Sequence, residues 1–448
     1  MSRFDRPISR RRLVRLGAAS WAAGALGGWR AVDAWAAALA GDGAGVVTAT
    51  GASARVLYRA ASIADGRSAN RATRQSVLVK NGRIAWIRPS DSELDPGPAS
   101  GLEIVDARGL TIVPGMVDAH CHLTSPGGPN YLERFKDRPP KLLQTAESNG
   151  ALAHQAGIAW LRELGSPTVV DPIDGRYRAI ALGIRDRWVG RVNRPRVRAA
   201  GTWIAPPRGL ESGLGIVVRN ADELVAAAMT QLDQGADLVK LYVEARSGKD
   251  SPWTASEIRR VVNTAHSRGA RVTAHAMWLK PARAAVLGGV DAIEHGFHLD
   301  ADLCAEMARR GTYLVTTLTV PRSWLRIGST TSGTFWSTRA GRRYARRMLR
   351  DGNASVNLAR AAGVKIAAGT DFGGGSTRAG QLAWEVESLV EAGLQPWQAL
   401  GCATWRGGEL LGIADAGRLR AGGPADFFLV AGNPYSDPST LWDVRRLA

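Results

Sequence analysis

The sequence predicts an α/β fold in which a (β/α)8 TIM barrel is joined to a small composite β-sandwich formed by both ends of the chain. Between residues 112 and 370, short apolar strand patterns alternate with helical patterns, which is typical of a parallel sheet covered by helices. Eight such units over about 260 residues match the size of a TIM barrel. Strand-like patterns flank this region on both sides.

Composition limits the function classes only weakly. The chain has 448 residues, of which 45% are hydrophobic and 22% charged, as in ordinary globular proteins. Its three cysteines are too few and too scattered for a disulfide framework or a thiolate metal site. The formal net charge of +18 comes from 51 Arg and 7 Lys against 40 acidic residues. An arginine excess of this kind fits genomic composition as well as nucleic-acid binding, so the charge alone decides nothing about partners. We expect a small-molecule substrate and no nucleic-acid partner.

The first 40 residues have the organisation of an export signal. Residues 9–15 (SRRRLVR) precede a mildly apolar run at residues 16–29, and Ala38-Leu39-Ala40 closes the segment. Ser-Arg-Arg-x-Leu resembles a twin-arginine (Tat) signal, although a basic tail before an Ala-rich helix is an alternative. The run is too short and too rich in Gly and Ala to be a stable membrane span. We expect cleavage near Ala40, the Tat machinery as a partner of the precursor, and a periplasmic or extracellular mature protein.

Strand patterns before and after the barrel predict the composite β-sandwich. Its N-terminal part, residues 45–113, contains turn signals at Asp65-Gly66 and Asn81-Gly82. The strands predicted there cover residues 54–60, 76–80, 84–88 and 103–106. A further strand at residues 425–431 is expected to complete the sandwich from its C-terminal part, residues 412–448.

The predicted barrel occupies residues 114–411, apart from its first strand, which begins at residue 112. The eight predicted strands cover residues 112–119, 158–164, 196–204, 238–243, 271–276, 291–295, 313–318 and 364–370. Predicted helices include residues 222–233, 255–268 and 396–411. The second of these follows Thr254, which forms a capping-box pattern with Glu257.

A long insert at residues 319–338 follows the seventh predicted strand. It contains Trp324, Phe335 and Trp336, and long barrel loops often carry function. An aromatic wall around the substrate and simple packing of the loop are both open interpretations.

Candidate chemistry lies at the carboxyl ends of the predicted barrel strands, where the catalytic loops of TIM barrels converge. Four of the seven histidines occur there, and Asp371 follows the eighth strand; the histidines are His120, His122, His275 and His295. An extended backbone places His120 and His122 on one face, so that both imidazoles can bind one metal ion. Each position alone is weak evidence. The alternative is that all five gather on one rim by chance, and we reject it.

Lys240 lies inside the apolar pattern of the fourth predicted strand. A buried ammonium is costly unless it is paired or neutralised. Two interpretations are therefore open. Lys240 forms an ion pair with Glu163 or Asp237, or it reacts with carbon dioxide to give a carbamate that can bridge two metal ions.

These segments together resemble the amidohydrolase superfamily, and specifically its binuclear-metal branch of imidazolonepropionase-like hydrolases and Xaa-Pro dipeptidases (prolidases). The resemblance covers essentially the whole mature chain in order. The matching segments are residues 114–122 (PGMVDAHCH), 157–165 (GIAWLRELG), 235–242 (GADLVKLY), 271–276 (RVTAHA), 292–296 (AIEHG), 364–374 (VKIAAGTDFGG) and 419–434 (LRAGGPADFFLVAGNP).

The resemblance implies a cofactor of two divalent metal ions, expected to be zinc. It implies His120 and His122 on one ion and His275 and His295 on the other, with carboxylated Lys240 bridging both. Asp371 would bind the first ion and the nucleophilic water. Asp371 and His295 are the candidate catalytic residues, with Asp371 acting as general base and then as general acid.

The implied activity is hydrolysis of an amide bond in a small dipeptide-like or N-acyl amino acid substrate. Cyclic-amide or imidazolone hydrolysis and deamination are alternatives on the same site, and a non-catalytic basic envelope binding protein is a more distant one. A homo-oligomer is compatible with the sequence.

The chain departs from the family pattern where substrate would be contacted. Glu163 stands where Arg-Asp is usual, and residues 205–215 lack the Gly-Gly-His-Gly-like stretch that is often found there. The candidate substrate contacts are Glu163, Tyr242 and His298. A packing tyrosine and an exposed rim histidine are the alternatives for the last two.

Two further groups are expected at the surface. His154 and His266 lie in helical patterns. Six arginines follow helical spacing, and we expect a solvated helix face rather than a site for nucleic acid or anionic lipid; they are Arg339, Arg342, Arg343, Arg346, Arg347 and Arg350.

Overall fold

The computed structural model describes residues 47–48, 55–98, 101–210, 213–245 and 248–448. The predicted export signal, residues 1–40, lies outside these residues. None of the helices in the described part of the chain combines the length and the apolar character needed to cross a membrane.

Five strands precede the region predicted to form the barrel, after a two-residue strand at Val47–Thr48. They are β1 (Arg55–Ile63), β2 (Ala72–Lys80), β3 (Arg83–Pro89), β4 (Leu102–Asp106) and β5 (Leu110–Pro114). β1 pairs antiparallel with β2 and parallel with β4 and β5. The predicted Asn81-Gly82 turn joins β2 to β3, and both residues have the positive φ that a type I′ turn requires, 52° and 69°.

Parallel strands carry the candidate site. The strands of this region are β6 (Met116–Cys121), β7 (Ile158–Glu163), β8 (Thr168–Val170), β9 (Tyr177–Ala179), β10 (Arg196–Ala199), β11 (Ile204–Ala205), β12 (Ile216–Val217), β13 (Leu238–Tyr242), β14 (Arg271–Ala276), β15 (Ala292–His295), β16 (Tyr313–Thr316) and β17 (Ile366–Ala368). One parallel sheet has the order β10-β7-β6, and a second has the order β12-β11-β13-β14-β15-β16-β17. β8 and β9 form a separate antiparallel pair.

Backbone contacts link the two parallel sheets at both ends. Cys121 and Phe372 form a parallel bridge between the end of β6 and the segment after β17. At the other end, the Asp237 amide donates to the Ala199 carbonyl at 2.8 Å. The α/β alternation is confirmed, whereas closure of the strands into one barrel stays a prediction.

Helices follow most of the parallel strands. They are α1 (Tyr131–Arg134), α2 (Pro139–Gln155), α3 (Ile180–Trp188), α4 (Ala221–Asp233), α5 (Ala255–Ser267), α6 (Leu279–Gly288), α7 (Ala301–Arg310), α8 (Thr319–Thr330), α9 (Arg339–Ala361), α10 (Leu382–Glu391), α11 (Pro396–Cys402) and α12 (Trp405–Leu411), with short 3-10 turns at Ser90–Ser92, Phe335–Ser337 and Pro438–Trp442. The predicted capping box starts α5, because the Glu257 amide donates to Thr254 Oγ1 and the Thr254 amide to Glu257 Oε2.

Three predicted elements divide in the structure. The strand expected at residues 112–119 is split between β5 and β6 at Gly115, where a Cβ atom would lie 2.6 Å from the Ala159 Cβ. The strand expected at residues 196–204 is interrupted near Gly201, whose φ is 83°. The helix expected at residues 396–411 becomes α11 and α12, because Thr404 has the non-helical angles φ −127° and ψ −106°.

The insert after the seventh strand is mostly helical rather than a long loop. Its first part is α8, and Trp324 on this helix is only 7% exposed. The Trp324 ring stacks on Trp336, with centroids 4.3 Å apart and planes 5° apart. These two aromatic residues therefore pack against each other, while Phe335 is exposed.

The C-terminal strands return to the N-terminal sheet. They are β18 (Phe427–Ala431) and β19 (Val444–Leu447). β18 pairs antiparallel with both β5 and β19, and the Tyr58 and Phe427 rings meet edge to face at 5.1 Å in the core of this part. Both chain ends thus contribute to one mixed sheet, whereas its packing as a sandwich and the boundaries 45–113, 114–411 and 412–448 stay predictions.

Candidate metal centre

The first half of the candidate centre consists of His120, His122 and Asp371. Asp371 Oδ1 lies 3.4 Å from His120 Nε2 and 3.3 Å from His122 Nε2, and all three residues are buried. Burial raises the pKa of Asp371, but the neighbouring imidazoles outweigh this effect and hold the pKa below its ordinary value. The close approach of Asp371 to His122 requires a glycine at position 374, because a Cβ atom there would lie 2.2 Å from the His122 ring.

The second half consists of two histidines on adjacent strands. In the parallel pairing of β14 with β15, His275 lies beside Glu294, and Ala276 lies beside His295. His275 Nδ1 is 3.0 Å from His295 Nε2. His120, His295 and Asp371 each offer a ligand atom, and these atoms lie within 4.8 Å of one another. The two halves therefore form one cluster.

Each of the four imidazoles has one ring nitrogen next to a protein acceptor. His120 Nδ1 lies 2.8 Å from Glu294 Oε2, His122 Nδ1 lies 2.8 Å from the Gly165 carbonyl, His295 Nδ1 lies 2.8 Å from Thr317 Oγ1, and His275 Nε2 lies 3.3 Å from Glu244 Oε2. The other nitrogen of each ring faces the cluster. Histidines that bind metals usually have their second nitrogen held in this way.

Lys240 is buried beside the cluster, and its Nζ atom has no hydrogen-bond partner among the described residues. Burial lowers its pKa to about 8, against the carboxylates of Glu294 and Asp371, which raise it. Asp237 instead pairs with two arginines, at 2.7 and 2.6 Å. The alternative in which Lys240 pairs with Asp237 is therefore not supported, and no ion pair to Glu163 forms within the described part of the chain.

Two buried carboxylates flank Lys240. Glu294 is 2.8 Å from a guanidinium nitrogen of Arg162, which is itself buried. Glu163 is fully buried, and no other side chain among the described residues forms a hydrogen bond with its carboxylate. Burial raises the pKa of Glu163 to about 8, although the Gly165 amide and Lys240 lower it. These groups make the surroundings of the Lys240 amine strongly polar.

The other predicted substrate contacts lie at different depths. The Tyr242 ring stacks on His275, with centroids 4.3 Å apart, so it borders the centre directly. His298 lies further out and bonds to the Met277 carbonyl at 3.0 Å. His266 is exposed, as expected, but His154 is half-buried, and burial lowers its pKa to about 4. The predicted surface position of His154 is wrong, because in the last turn of α2 this side chain is half-buried rather than exposed.

Several residues beside the centre were not predicted from the sequence, among them Glu294 and Thr317, which hold His120 and His295. Glu244 shares the alternation of Lys240 and Tyr242 at the end of β13, and this spacing was the available signal. Phe135 and Trp203 pack around His122, with ring centroids 5.9 and 5.5 Å from the imidazole. No local pattern marks these two residues, because they reach the site from separate loops.

Comparison with known proteins agrees with this geometry. The model of the amidohydrolase family matches residues 111–447. An uncharacterized protein of Mycobacterium tuberculosis is 31% identical over 362 residues, which are 80% of this chain and 88% of that protein. An imidazolonepropionase of Salinispora tropica is 25% identical over 373 residues, which are 79% of this chain and 85% of that enzyme.

A solved structure supports the same assignment. The crystal structure of a Xaa-Pro dipeptidase with methionine in its active site has a TM-score of 0.75 and 26% identity, and covers 87% of this chain and 97% of that one. The chain is thus an enzyme that hydrolyses C–N bonds, and the non-catalytic binding protein considered as an alternative is not supported. By its sequence and its structure, this chain belongs to the amidohydrolase family.

Proposed function

We propose that the chain is an exported amidohydrolase with two divalent metal ions, which hydrolyses amide bonds in dipeptide-like or N-acyl amino acid substrates. The likeness to a Xaa-Pro dipeptidase supports a dipeptide-like substrate. The observation that carries the proposal is the common orientation of the four imidazoles around Asp371 and Lys240.

The donor set fits two divalent ions. In this proposal His120 and His122 hold one ion, and His275 and His295 hold the second. Asp371 binds the first ion. Imidazole nitrogen and carboxylate oxygen are suitable ligands for zinc, the metal that we propose.

Lys240 completes the proposed ligand set as a carbamate. Its neutral amine adds to carbon dioxide and loses a proton, which leaves an N-carboxylate with two oxygens able to bridge the ions. The pKa of about 8 favours this reaction, because it gives a larger fraction of neutral amine at neutral pH than an exposed lysine has. The absence of a hydrogen-bond partner for Nζ among the described residues supports the same assignment.

Each residue of the site has a proposed role in the reaction. Two bound divalent ions would lower the pKa of a shared water and polarise the substrate carbonyl. Asp371 Oδ1 accepts the proton of the attacking water and transfers it to the leaving nitrogen. His295 is the second residue proposed to contact the reacting atoms, and Glu163, Tyr242 and His298 are the proposed substrate contacts. The products are a carboxylate and an amine.

We also propose that the two parallel sheets are parts of one closed (β/α)8 barrel. The backbone contacts of Cys121 with Phe372 and of Asp237 with Ala199 support this closure. In the same proposal, β1 to β5 together with β18 and β19 form the composite sandwich, with the boundaries 45–113, 114–411 and 412–448.

We propose that the enzyme reaches the periplasm or the extracellular space by the twin-arginine export route. The paired arginines Arg10 and Arg11 are the feature that supports it. Replacement of both by lysine should leave the precursor in the cytoplasm when cell fractions are immunoblotted. Undisturbed export of that variant would contradict the proposal.

Hydrolysis of a cyclic amide is the second candidate, because a named relative of the chain is an imidazolonepropionase. A substrate screen with the metal-loaded enzyme distinguishes amide hydrolysis from cyclic-amide hydrolysis and deamination. The compounds are dipeptides, N-acyl amino acids, lactams and amino-substituted heterocycles. Release of an amine from dipeptides, with two metal ions per chain, would support the proposal. Ring opening without a second product would favour the cyclic amide, and free ammonia would indicate deamination.

A further inference from the structure

Trp278 and its neighbours form a cluster beside the metal centre to which the proposed reaction assigns almost no role. Trp278 follows β14, three residues beyond His275. Its amide donates to Glu244 Oε1 at 3.0 Å, while Glu244 Oε2 lies 3.3 Å from His275 Nε2. A single buried carboxylate therefore holds Trp278 at a fixed position relative to a candidate metal ligand.

Two cations approach the Trp278 indole from different parts of the chain. Lys249 lies between β13 and α5, and its Nζ atom is 5.7 Å from the ring centroid. Arg347 lies on α9, and its Cζ atom is 5.6 Å from the same centroid. The His298 ring covers one face of the indole at 3.9 Å. Both cations therefore lie at the distances of cation–π contacts.

The charge of this cluster is not balanced. The Asp351 carboxylate is shared by three groups: it lies 3.4 Å from Arg347, 2.9 Å from Arg350 and 3.3 Å from His298. Glu244 is occupied by the backbone amides of Met277 and Trp278 and by His275. Among the described residues of this cluster, the three cations Lys249, Arg347 and Arg350 therefore face two carboxylates, Asp351 and Glu244, which leaves one positive charge in excess.

We propose that Trp278, His298, Lys249 and Arg347 form a subsite, the Trp278 subsite, that binds a carboxylate group of the substrate. Arginine and lysine bind carboxylates through charge-assisted hydrogen bonds, and Trp278 brings one of each together beside the candidate centre. This inference rests on the proposed function and adds to it the residues that recognise a carboxylate group of the substrate. Two sources have this chemistry: the C-terminal carboxylate of a peptide and an acidic side chain.

Direct binding provides the first test. Glutarate and its uncharged analogue glutaramide are titrated into the metal-loaded and the metal-free protein by calorimetry. Arg347→Gln and Lys249→Gln should each weaken the binding of glutarate about tenfold, because one charge-assisted contact is lost. Arg347→Lys should recover part of the affinity, and glutaramide should bind all forms equally weakly.

Arg343→Gln is the matched control. It removes the same charge from an exposed position on α9, four residues from Arg347. The control should bind glutarate like the unchanged protein. Equal weakening by Arg343→Gln would show a general effect of net charge and would overturn the subsite, as would glutarate binding that is independent of Arg347 and Lys249.

Turnover identifies the source of the carboxylate. Peptides with a free C-terminus are compared with their C-terminal amides, and glutamyl peptides with glutaminyl peptides. In Arg347→Gln, a rise in KM confined to the free acids points to the terminal carboxylate, and a rise confined to the glutamyl peptides points to the side chain. Equal KM changes for charged and uncharged members of both pairs would contradict the inference. If no compound is turned over but glutarate binding still depends on Arg347, the proposed function fails while the subsite stands.

Discussion

His275 Nδ1 lies 3.0 Å from His295 Nε2. Two nitrogen ligands of one tetrahedral zinc ion, each about 2.0–2.1 Å from the metal, would stand roughly 3.3 Å apart. Glu244 and Thr317 hold the opposite nitrogens of these rings, so neither imidazole turns without losing a buried contact. The protein therefore presents the two donors already close to the separation that a metal needs.

Replacement of Lys240 by alanine should abolish activity and reduce the bound metal to below two ions per chain, because the bridging carbamate is lost. Metal content by mass spectrometry and amine release are the measurements. A short-chain carboxylic acid should restore part of the activity, since its carboxylate can occupy the same space. Lys280→Ala is the control, because Lys280 is exposed and pairs with Asp250. Full activity of Lys240→Ala would exclude the carbamate.

Asp371→Asn should separate metal binding from proton transfer. The amide keeps an oxygen donor, so the variant should retain a substantial part of its metal. It should lose turnover by at least 100-fold, because an amide does not accept the proton of the attacking water. Steady-state kinetics beside metal analysis test this. An active Asp371→Asn enzyme would remove Asp371 from the proposed acid–base role.

Glu294→Gln should destabilise the fold strongly. The change leaves the charge of Arg162 buried and without its partner, and loss of one member of a buried ion pair typically costs about 3–5 kcal/mol. Urea unfolding of the metal-free protein gives the difference in the free energy of unfolding. Glu306→Gln removes a partly exposed carboxylate that pairs with Arg309 and Arg310 at the surface, and its effect on the free energy of unfolding should be much smaller. Similar midpoints for both variants would contradict the expectation.

Acid should weaken the contact of Glu409 on α12 with Lys365, the residue before β17. Burial raises the pKa of Glu409, but hydrogen bonds from Lys365 and Arg406 outweigh this effect and lower it to about 2. Since the pKa is lower in the folded state, the contribution of Glu409 to stability is complete above its ordinary pKa of 4.5 and is lost as the pH falls toward 2. The midpoint temperature of thermal unfolding should therefore fall less steeply between pH 6 and pH 3 for Glu409→Gln than for the unchanged protein. Parallel curves would refute this.

Much of the site was predictable because its residues carry local signals. His120 and His122 are two positions apart at the end of an apolar strand, and this alternation places both on one face. His275 and His295 end the two following parallel strands in the same manner. The expected closed barrel depends instead on long-range closure, which local periodicity does not encode. The sequence pattern also did not predict that the strand expected at residues 112–119 is divided at Gly115 or that the helix expected at residues 396–411 is divided at Thr404. In both cases the apolar pattern continues across the break in the backbone.

The sequence by itself determined the family, the order of most strands and helices, and the candidate metal ligands. Only the tertiary structure decided how these residues are held: Glu244 against His275, Glu294 between His120 and Arg162, and Lys240 buried with no hydrogen-bond partner for Nζ among the described residues. The physical reason is that the type of a donor is set by its side chain. Its orientation and charge state, in contrast, depend on neighbours that are brought together from distant parts of the chain.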